Sequence, residues 1–262
     1  MKGYYTAQAR EFGRAVVTER HRRQAATIVE LTGIEKGRVL ELGAGSGGLA
    51  MALAELGHET WAIDFNPTDA ALARELAASR PDLPVTMVEA DFCEVELEGR
   101  FDLVFYWDGF GVGCDEDQRR LLRRCASDWL EPNGRVLLDV FSPWNWQRRE
   151  GEVTDITGVD GTTWQRRLEY SVLRGRFTDH WTSSQRPGVE RSQTIRCYTL
   201  QELELLCVET GLSVERFFTM SARPFLVSEV GDGEDGAALE TELRKSNGYW
   251  ALLQRSGMMA SR

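Results

Sequence analysis

The stretch RVLELGAGSGGLAMALAELG, residues 38–57, constrains the fold more than any other part of the chain. Its short apolar run is typical of a buried strand, and the alanine- and leucine-rich segment that follows is typical of a helix ending at Gly57. The glycines between them let the backbone turn sharply and approach a ligand closely, with the helix N-terminus facing that ligand. The stretch therefore predicts a strand, a turn and a helix that together form a ligand-binding unit.

Further strands follow at a regular pace, separated by segments with helical spacing. Strands are predicted at TWAID (60–64), PVTMVEAD (84–91), FDLVFYW (101–107) and within EPNGRVLLDVF (131–141). Helices are predicted over 8–31, 66–79, 117–130 and 199–211 from their apolar positions. Strands that alternate with helices predict an α/β fold, in which a parallel sheet carries helices on both faces.

The alternation of predicted strands and helices stops after Ser142. From there to Arg196 the chain is rich in Trp, Arg and Thr and alternates in the manner of antiparallel strands. A segment of this length is longer than a plain connection. We therefore predict two parts: residues 1–142 with 197–262 form the α/β domain, and residues 143–196 form an antiparallel β insert.

Charge and composition argue against several classes of partner. The net charge of −10 at pH 7 argues against a general nucleic-acid surface or an anionic membrane surface. No apolar run approaches membrane-spanning length, and the N-terminal segment lacks the apolar centre of a signal peptide. The five cysteines include no C-x-x-C pair, which favours a reduced compartment and offers no zinc site. We expect a cytoplasmic protein with no metal, nucleic-acid or membrane partner.

Acidic residues at the ends of predicted strands narrow the class of ligand. Glu41 precedes the first glycine of the turn, where a ligand with an ammonium or sulfonium group can use its charge. Asp64 ends the second strand, and a carboxylate there can take two ribose hydroxyls. Asp91 ends the third strand, where it can accept a hydrogen bond from an adenine amino group. Because the turn also fits G-x-G-x-x-G, a dinucleotide site stays open at this point.

In order along the chain, VLELGAGSGG, WAID, VEADF, FDLVFYWDGF and LEPNGRVLLDVF make the sequence similar to the class I S-adenosylmethionine-dependent methyltransferases. These pieces cover residues 38–142. The resemblance implies a Rossmann-like, seven-stranded, mostly parallel sheet with a reversed last strand, and a β insert after strand five that covers the substrate site. It also implies S-adenosylmethionine as the cofactor. The implied reaction is methyl transfer, by in-line displacement, to a small molecule such as a natural product, an amine or an aromatic compound.

The resemblance also assigns cofactor contacts along the strand ends. The glycine turn is expected to hold the methionine part, Asp64 the ribose, and Asp91 with Phe92 the adenine. The full set of expected cofactor residues is Glu41, Gly43, Ala44, Gly45, Asp64, Phe65, Asp91, Phe92 and Trp107.

Catalytic candidates are few, because a sulfonium methyl is already electrophilic and the enzyme mainly has to align the reactants. A base is required only if the nucleophile must lose a proton. His180, one of three histidines, is the first candidate, with a partly exposed strand histidine as the alternative interpretation. Asp108 follows the fourth strand, whose end opens onto the methyl group in this family. It is either a partner for an amine or its proton, or a turn residue before Gly109.

The methyl acceptor is expected to meet side chains from the N-terminal segment, the fourth strand and the insert. Aromatic residues are dense in the insert, where they form either a wall for a flat substrate or the core of a small sheet. Arg196 is a candidate for a substrate carboxylate or phosphate, although solvent or the protein's own acids also account for the insert arginines. The expected substrate residues are Tyr5, Asp108, Phe110, Trp144, Arg196 and Tyr198.

Two other functions stay open from the residues alone. A nicotinamide-dependent oxidoreductase would use the G-x-G-x-x-G turn, although the acid at the end of the third strand and the PNG turn count against it. A non-catalytic cofactor-binding protein would use the insert as a dimerisation surface, so a homodimer also stays open. The acids at 115–117 are expected to begin a helix, where the dipole favours them, rather than to bind a metal.

Overall fold

The computed structural model describes residues 2–231 and 233–257, with the side chain of Lys2 left out. Residue 1 and residues 258–262 of the predicted α/β domain lie outside this part, as does residue 232. The described chain forms two sheets, one of eight strands and one of four. Among the helices described, none is long and apolar enough to cross a membrane.

Helices and strands alternate through most of the chain, as the sequence predicts. The helices are α1 Lys2–Phe12, α2 Glu19–Thr32, α3 Gly48–Glu55, α4 Pro67–Ala78, α5 Asp115–Arg124, α6 Pro143–Arg148, α7 Leu200–Cys207 and α8 Glu234–Lys245. The strands are β1 Arg38–Leu42, β2 Glu59–Asp64, β3 Val85–Glu89, β4 Phe101–Phe110, β5 Leu130–Phe141, β6 Val153–Thr157, β7 Thr163–Ser171, β8 Arg176–Thr182, β9 Glu190–Arg196, β10 Leu212–Phe218, β11 Pro224–Phe225 and β12 Gly248–Arg255.

The large sheet has the order β11-β10-β12-β5-β4-β1-β2-β3. Strands β1 to β5 pair in parallel, and β12 is antiparallel to both β5 and β10. The predicted Rossmann-like sheet with a reversed last strand is therefore confirmed. The predicted count of seven strands is one too low, because the two-residue strand β11 extends the edge beyond β10.

Both faces of the large sheet are buried, which is typical of a mostly parallel sheet between helices. Leu40 and Leu42 of β1 pack in the core cluster that includes α5 and α7. Val39 packs in the opposite cluster, with α2 and α3. Because side chains alternate along a strand, Glu41 shares the face of Val39 and is directed at the α3 side.

The single helix predicted over 8–31 is two helices. α1 ends at Phe12, and a Cβ on Gly13 would lie 2.4 Å from the carbonyl oxygen of Ala9, so no other residue fits there without movement. α2 begins after Thr18, whose Oγ1 accepts from the backbone N–H of His21 at 3.3 Å. The break between the helices allows α1 to contact both α4 and β9.

The antiparallel insert predicted after the fifth strand is confirmed as the four-stranded sheet β6-β7-β8-β9, which follows α6. Its three strand pairs are all antiparallel. On β8 the side chains of Phe177, Asp179 and Trp181 are buried, and those between them are partly or fully exposed. One face of this small sheet is therefore turned towards protein.

Candidate active site

The turn after β1 opens onto a cavity at the carboxyl edge of the large sheet. Gly43, Gly45 and Gly47 have φ values of 67°, 53° and 78°, in the left-handed region that favours glycine. A Cβ on Gly47 would lie 2.6 Å from Cε of Met87, whereas one on Gly45 would meet no atom within 4 Å. The positive φ favours glycine at all three positions, and Gly45 also leaves open space in which a ligand can approach the backbone.

Asp64 connects the end of β2 to this turn. Its Oδ2 accepts from the N–H of Gly45 and its Oδ1 accepts from the N–H of Asn66, both at 2.8 Å. Burial raises the pKa of this carboxyl, and the two backbone donors oppose the rise. The carboxylate is thus fixed on the wall of the cavity, where its remaining lone pairs can accept from a ligand.

The space beside the turn, here called the turn cavity, has a volume of about 340 Å³, within the range of small-ligand pockets. Of the predicted cofactor residues, the ones on its wall are Gly43, Gly45, Asp64, Phe65, Asp91, Phe92 and Trp107. Ala44 instead joins the turn to β2, because its N–H donates to the carbonyl of Ile63 at 2.9 Å.

Glu41 lies behind the turn and is only 4% exposed. In the described part of the chain, its Oε2 has no hydrogen-bond partner. Burial raises the pKa of the carboxyl to about 8, with the charge of Asp64 adding to the rise and the N–H of Ala50 opposing it. Glu41 is not among the residues that line the turn cavity, and its contact with a cationic ligand group stays a prediction.

A bulge in β4 creates the boundary between the turn cavity and a second space. The register of β4 against β5 slips between Tyr106 and Phe110. Within the slip Asp108 has a φ of 57°, and its backbone N–H donates to Oδ2 of Asp139 on β5 at 3.3 Å. Bulges of this kind re-aim a side chain. Here the bulge directs Asp108 into both spaces.

The second space, here called the aromatic chamber, is a cavity of about 920 Å³ bounded by α1, the bulge, β5, β12 and the inner face of the insert sheet. Tyr5, Trp107 and Asp108 line both the turn cavity and this chamber. The rings of Trp146 and Phe177 stack on its insert side, with centroids 4.1 Å apart. The two cavities therefore meet at one wall.

Three carboxyl groups line the aromatic chamber: those of Asp108, Asp139 and Asp179. Asp179 is bound by the guanidinium of Arg166 through two hydrogen bonds of 2.8 and 2.9 Å. Burial, and then the charge of Asp108, raise the pKa of Asp139 to about 7. Burial also raises the pKa of Asp108 itself. Within residues 2–231 and 233–257, no group of three or more His, Cys, Asp or Glu side chains could hold a metal ion.

Comparison with known proteins identifies the family. Residues 39–134 match the model of a methyltransferase domain. The cypemycin N-terminal methyltransferase of a Streptomyces species is 31% identical over 192 residues, which are 67% of this chain and 72% of that protein. The chain belongs to the class I S-adenosylmethionine-dependent methyltransferases.

Solved structures show the same fold for this methyltransferase. The CcbJ methyltransferase from Streptomyces caelestis has a TM-score of 0.72 at 21% identity, covering 97% of this chain and 99% of that one. CalS10 from Micromonospora echinaspora, an amino pentose methyltransferase solved with S-adenosylmethionine bound, has a TM-score of 0.57 at 18% identity, covering 91% of each chain.

The cofactor of the methyltransferase is S-adenosylmethionine, and the turn cavity fits it. Asp64 would offer a fixed carboxylate to the ribose hydroxyls, Phe65 and Phe92 would offer apolar surface to the adenine, and Gly45 would leave its backbone open to the methionine part. When bound, the cofactor supplies an electrophilic methyl group. The role of each residue at the cofactor stays a prediction.

His180 lies outside this site. Its neighbours Asp179 and Trp181 line the aromatic chamber, so the alternation of a strand directs His180 to the opposite face of the insert sheet. There its Nε2 lies 3.1 Å from Oε2 of Glu169, and both side chains are partly exposed. The structure therefore does not bring the predicted base His180 to the chamber.

Four predicted substrate residues also lie elsewhere. Phe110 is fully buried and packs on the ring of Tyr198, whose hydroxyl donates to Asp115 at 2.8 Å. Arg196 donates to Glu202 at 2.6 Å, so a protein carboxylate already neutralises it. Trp144 lines a separate cleft beside α8. Of the predicted set, only Tyr5 and Asp108 border the chamber.

Sequence reasoning missed Asp139, Asp179, Arg166 and Trp250, all of which line the chamber. Asp139 carried a signal, because a single acid within the apolar run VLLDVF is costly to bury without a purpose. Asp179 and Trp181 carried another, since they alternate in phase with Phe177. Trp250 belongs to an almost wholly apolar strand, so the sequence does not show which of its side chains line the chamber.

Proposed function

We propose that this methyltransferase transfers the methyl group to the nitrogen of a small-molecule amine bound in the aromatic chamber. The proposal is supported above all by the position of Asp108, which lies on the wall shared by the two cavities and is exposed to both. A carboxylate beside the methyl group attracts an ammonium group to the place where nitrogen must attack. An alcohol or phenol gains less from such a group, because it carries no charge.

The chamber favours a small molecule over a macromolecule. It is bounded on several sides by α1, the large sheet and the insert, and its volume of about 920 Å³ suits a drug-sized ligand. The names of two related proteins bear on the reacting group instead, since one refers to an N-terminus and the other to an amino pentose. Both names describe acceptors that contain an amine.

In this proposal the chain aligns the reactants and excludes water. Tyr5 on α1 closes the wall above both cavities, and the aromatic rings hold the apolar body of the amine. The insert, residues 143–196, acts as the cover of the substrate site on the domain formed by 1–142 and 197–262. The rings of Trp107 and Trp250, with centroids 5.6 Å apart, support the side of the chamber next to the methyl group.

The proposal is tested with matched acceptors. Benzylamine and other primary amines are offered beside the alcohols of the same skeleton, and methylated product is measured by mass spectrometry. We expect product from amines only. Calorimetry is run in parallel with S-adenosylmethionine and with NAD, and only the first is expected to bind. Equal methylation of the alcohols would overturn the proposal, as would tight cofactor binding without transfer to any amine.

A further inference from the structure

We propose that Asp139 is the catalytic base of the aromatic chamber and that Asp108, held over it by the β4 bulge, shares its proton and binds the ammonium group. This inference rests on the proposed function, because a base is needed only if the acceptor enters the chamber as an ammonium ion. It assigns a role to a residue of β5 that lies outside the glycine turn and the other cofactor motifs.

The bulge places Asp108 beside the side chain of Asp139. The N–H of Asp108 donates to Oδ2 of Asp139 at 3.3 Å, so the backbone of one aspartate is tied to the side chain of the other. Asp108 has a left-handed φ of 57°, a conformation that costs a non-glycine residue energy and that is found where a site requires it. Both carboxyls line the chamber, and Asp108 also lines the turn cavity.

The surroundings of Asp139 suit a base that works near neutral pH. Burial and the charge of Asp108 raise its pKa to about 7, and the charge of Arg20 on α2 lowers it. The charge of Asp108 disfavours ionisation of Asp139, and in this proposal the two carboxyls share one proton. The other titratable or charged side chains of the chamber lie on α1, directly after α6, and on β7 and β8: Tyr4, Tyr5, Arg149, Arg166 and Asp179.

The remaining cations of the chamber are partly committed to other acids. Arg166 is held by Asp179, and Arg149 pairs with Glu152 at 2.7 Å. Their positive charge is therefore partly neutralised by those acids. The pair formed by Asp108 and Asp139 has Arg20 as the cation that acts on both carboxyls. An incoming ammonium ion would supply the second positive charge.

In the proposed step a proton passes from the ammonium group to Asp139 before the methyl group is transferred. The ammonium R–NH₃⁺ gives one proton to the carboxylate of Asp139, leaving R–NH₂ and a neutral carboxylic acid. The amine nitrogen then attacks the methyl carbon, and the carbon–nitrogen bond forms as the carbon–sulfur bond breaks with its electron pair staying on sulfur. The product leaves as R–NH₂CH₃⁺, and Asp139 returns its proton to water.

The first test compares Asp139→Asn with wild type on two amines, benzylamine and aniline. Asparagine still offers an oxygen to the N–H of Asp108, so the bulge keeps its hydrogen bond while the base is lost. Benzylamine is protonated at neutral pH and aniline is not. We expect kcat for benzylamine to fall about 100-fold and kcat for aniline to change less than about threefold. An equal fall for both amines, or no fall for benzylamine, would overturn the role of Asp139.

The second test uses pH and separates the two aspartates. In wild type, kcat/KM for benzylamine should fall below about pH 7, because Asp139 must be ionised to accept a proton. In Asp139→Asn this acidic limb disappears. In Asp108→Asn it moves to lower pH, because removing a neighbouring negative charge lowers the pKa of Asp139. An acidic limb that survives in Asp139→Asn would contradict the assignment.

A third measurement needs no methyl acceptor. The folded-state pKa of Asp139 is raised, so its stabilising contribution is present at low pH and is lost as pH rises through about 7. The melting temperature of Asp139→Asn relative to wild type should therefore rise by several degrees between about pH 4 and pH 8. Asp155→Asn, an exposed carboxyl on β6, is the matched control and should show no trend.

The outcomes distinguish this inference from the proposed function. If neither amine is methylated by wild type although S-adenosylmethionine binds, the proposed function fails and the role of Asp139 as a base fails with it. If amines are methylated but the melting temperatures show no pH trend, the amine function stands and the shared proton is overturned. If amines are methylated and all three tests agree, Asp139 carries the proton.

Discussion

The turn cavity and the aromatic chamber share a wall but are built on different principles. The turn cavity depends on backbone: the left-handed glycines after β1 and the carboxylate of Asp64 that holds the turn. The chamber depends on side chains that arrive from α1, α2, α6, the large sheet and the insert. A backbone cavity is fixed by a short stretch of sequence, whereas a side-chain chamber depends on how distant elements pack. This difference predicts that cofactor binding and acceptor binding respond to mutation separately.

The largest effect on cofactor binding is expected for Asp64→Ala. The variant removes two possible hydrogen bonds to ribose and the oxygen that orders the N–H of Gly45. Hydrogen bonds to a charged group contribute about 1.5–3 kcal/mol each. We expect the affinity for S-adenosylmethionine to fall about 100-fold, about 2.7 kcal/mol, as measured by calorimetry.

Asp82→Ala is the matched control, because Asp82 is a surface carboxyl paired only with Arg80 among the described residues. It should leave the affinity for the cofactor unchanged. If Asp64→Ala binds S-adenosylmethionine as tightly as wild type, the turn cavity is not the cofactor site.

A second variant, Glu11→Gln, tests how α1 is held against the chamber. Glu11 is buried on α1 and binds two arginines of the insert, with 3.3 Å to Arg186 and 2.5 Å to Arg191. Its carbonyl also accepts from the N–H of Val159 at 2.8 Å. These contacts fasten α1 to the insert, and α1 carries Tyr5, which lines both cavities.

The loss expected from Glu11→Gln is about 1–2 kcal/mol in the docking of α1, less than for a fully buried pair because Arg186 is partly exposed. Trypsin should then cleave after Arg10 or Arg14 several times faster, as followed by mass spectrometry. Glu19→Gln, which removes an exposed pair with Arg22 on α2, is the control. Equal cleavage rates in wild type and Glu11→Gln would show that these ion pairs do not hold α1.

The same contrast explains which parts could be predicted from the sequence. The strand ends at the turn cavity can be predicted because apolar periodicity marks the strands and glycines mark the turn after β1. A turn with φ near 60° disfavours most other residues. Asp64 and Asp91 lie on the cavity wall near the ends of β2 and β3, and Trp107 lies there within β4, while their roles at the cofactor stay predictions. No knowledge of distant packing was needed for them.

The chamber could be predicted only in part. In a regular strand Asp108 would share the face of Tyr106 and Phe110, which pack in one core cluster, but the bulge between those two residues re-aims Asp108 into the cavities. The sequence marks this place only by an Asp-Gly pair, which is also an ordinary turn signal. Arg196 was misplaced for a different reason, since the partner that neutralises it, Glu202, lies across the boundary between β9 and α7.

The smallest effect is expected for His180→Ala. His180 alternates with Asp179 and Trp181 on β8, so its ring lies on the outer face of the insert and pairs with Glu169 rather than with the chamber. An exposed ion pair of this kind contributes about 0.5 kcal/mol or less. We expect unchanged turnover and an unchanged pH profile with benzylamine, and a melting temperature close to that of wild type.

Asp179→Asn, at the neighbouring position on the chamber side, is the counterpart of His180→Ala. It removes the partner of Arg166 inside the chamber and should raise KM. A loss of the acidic limb in His180→Ala would move the base from β5 to the insert, and the two cavities would then no longer meet at the reacting group.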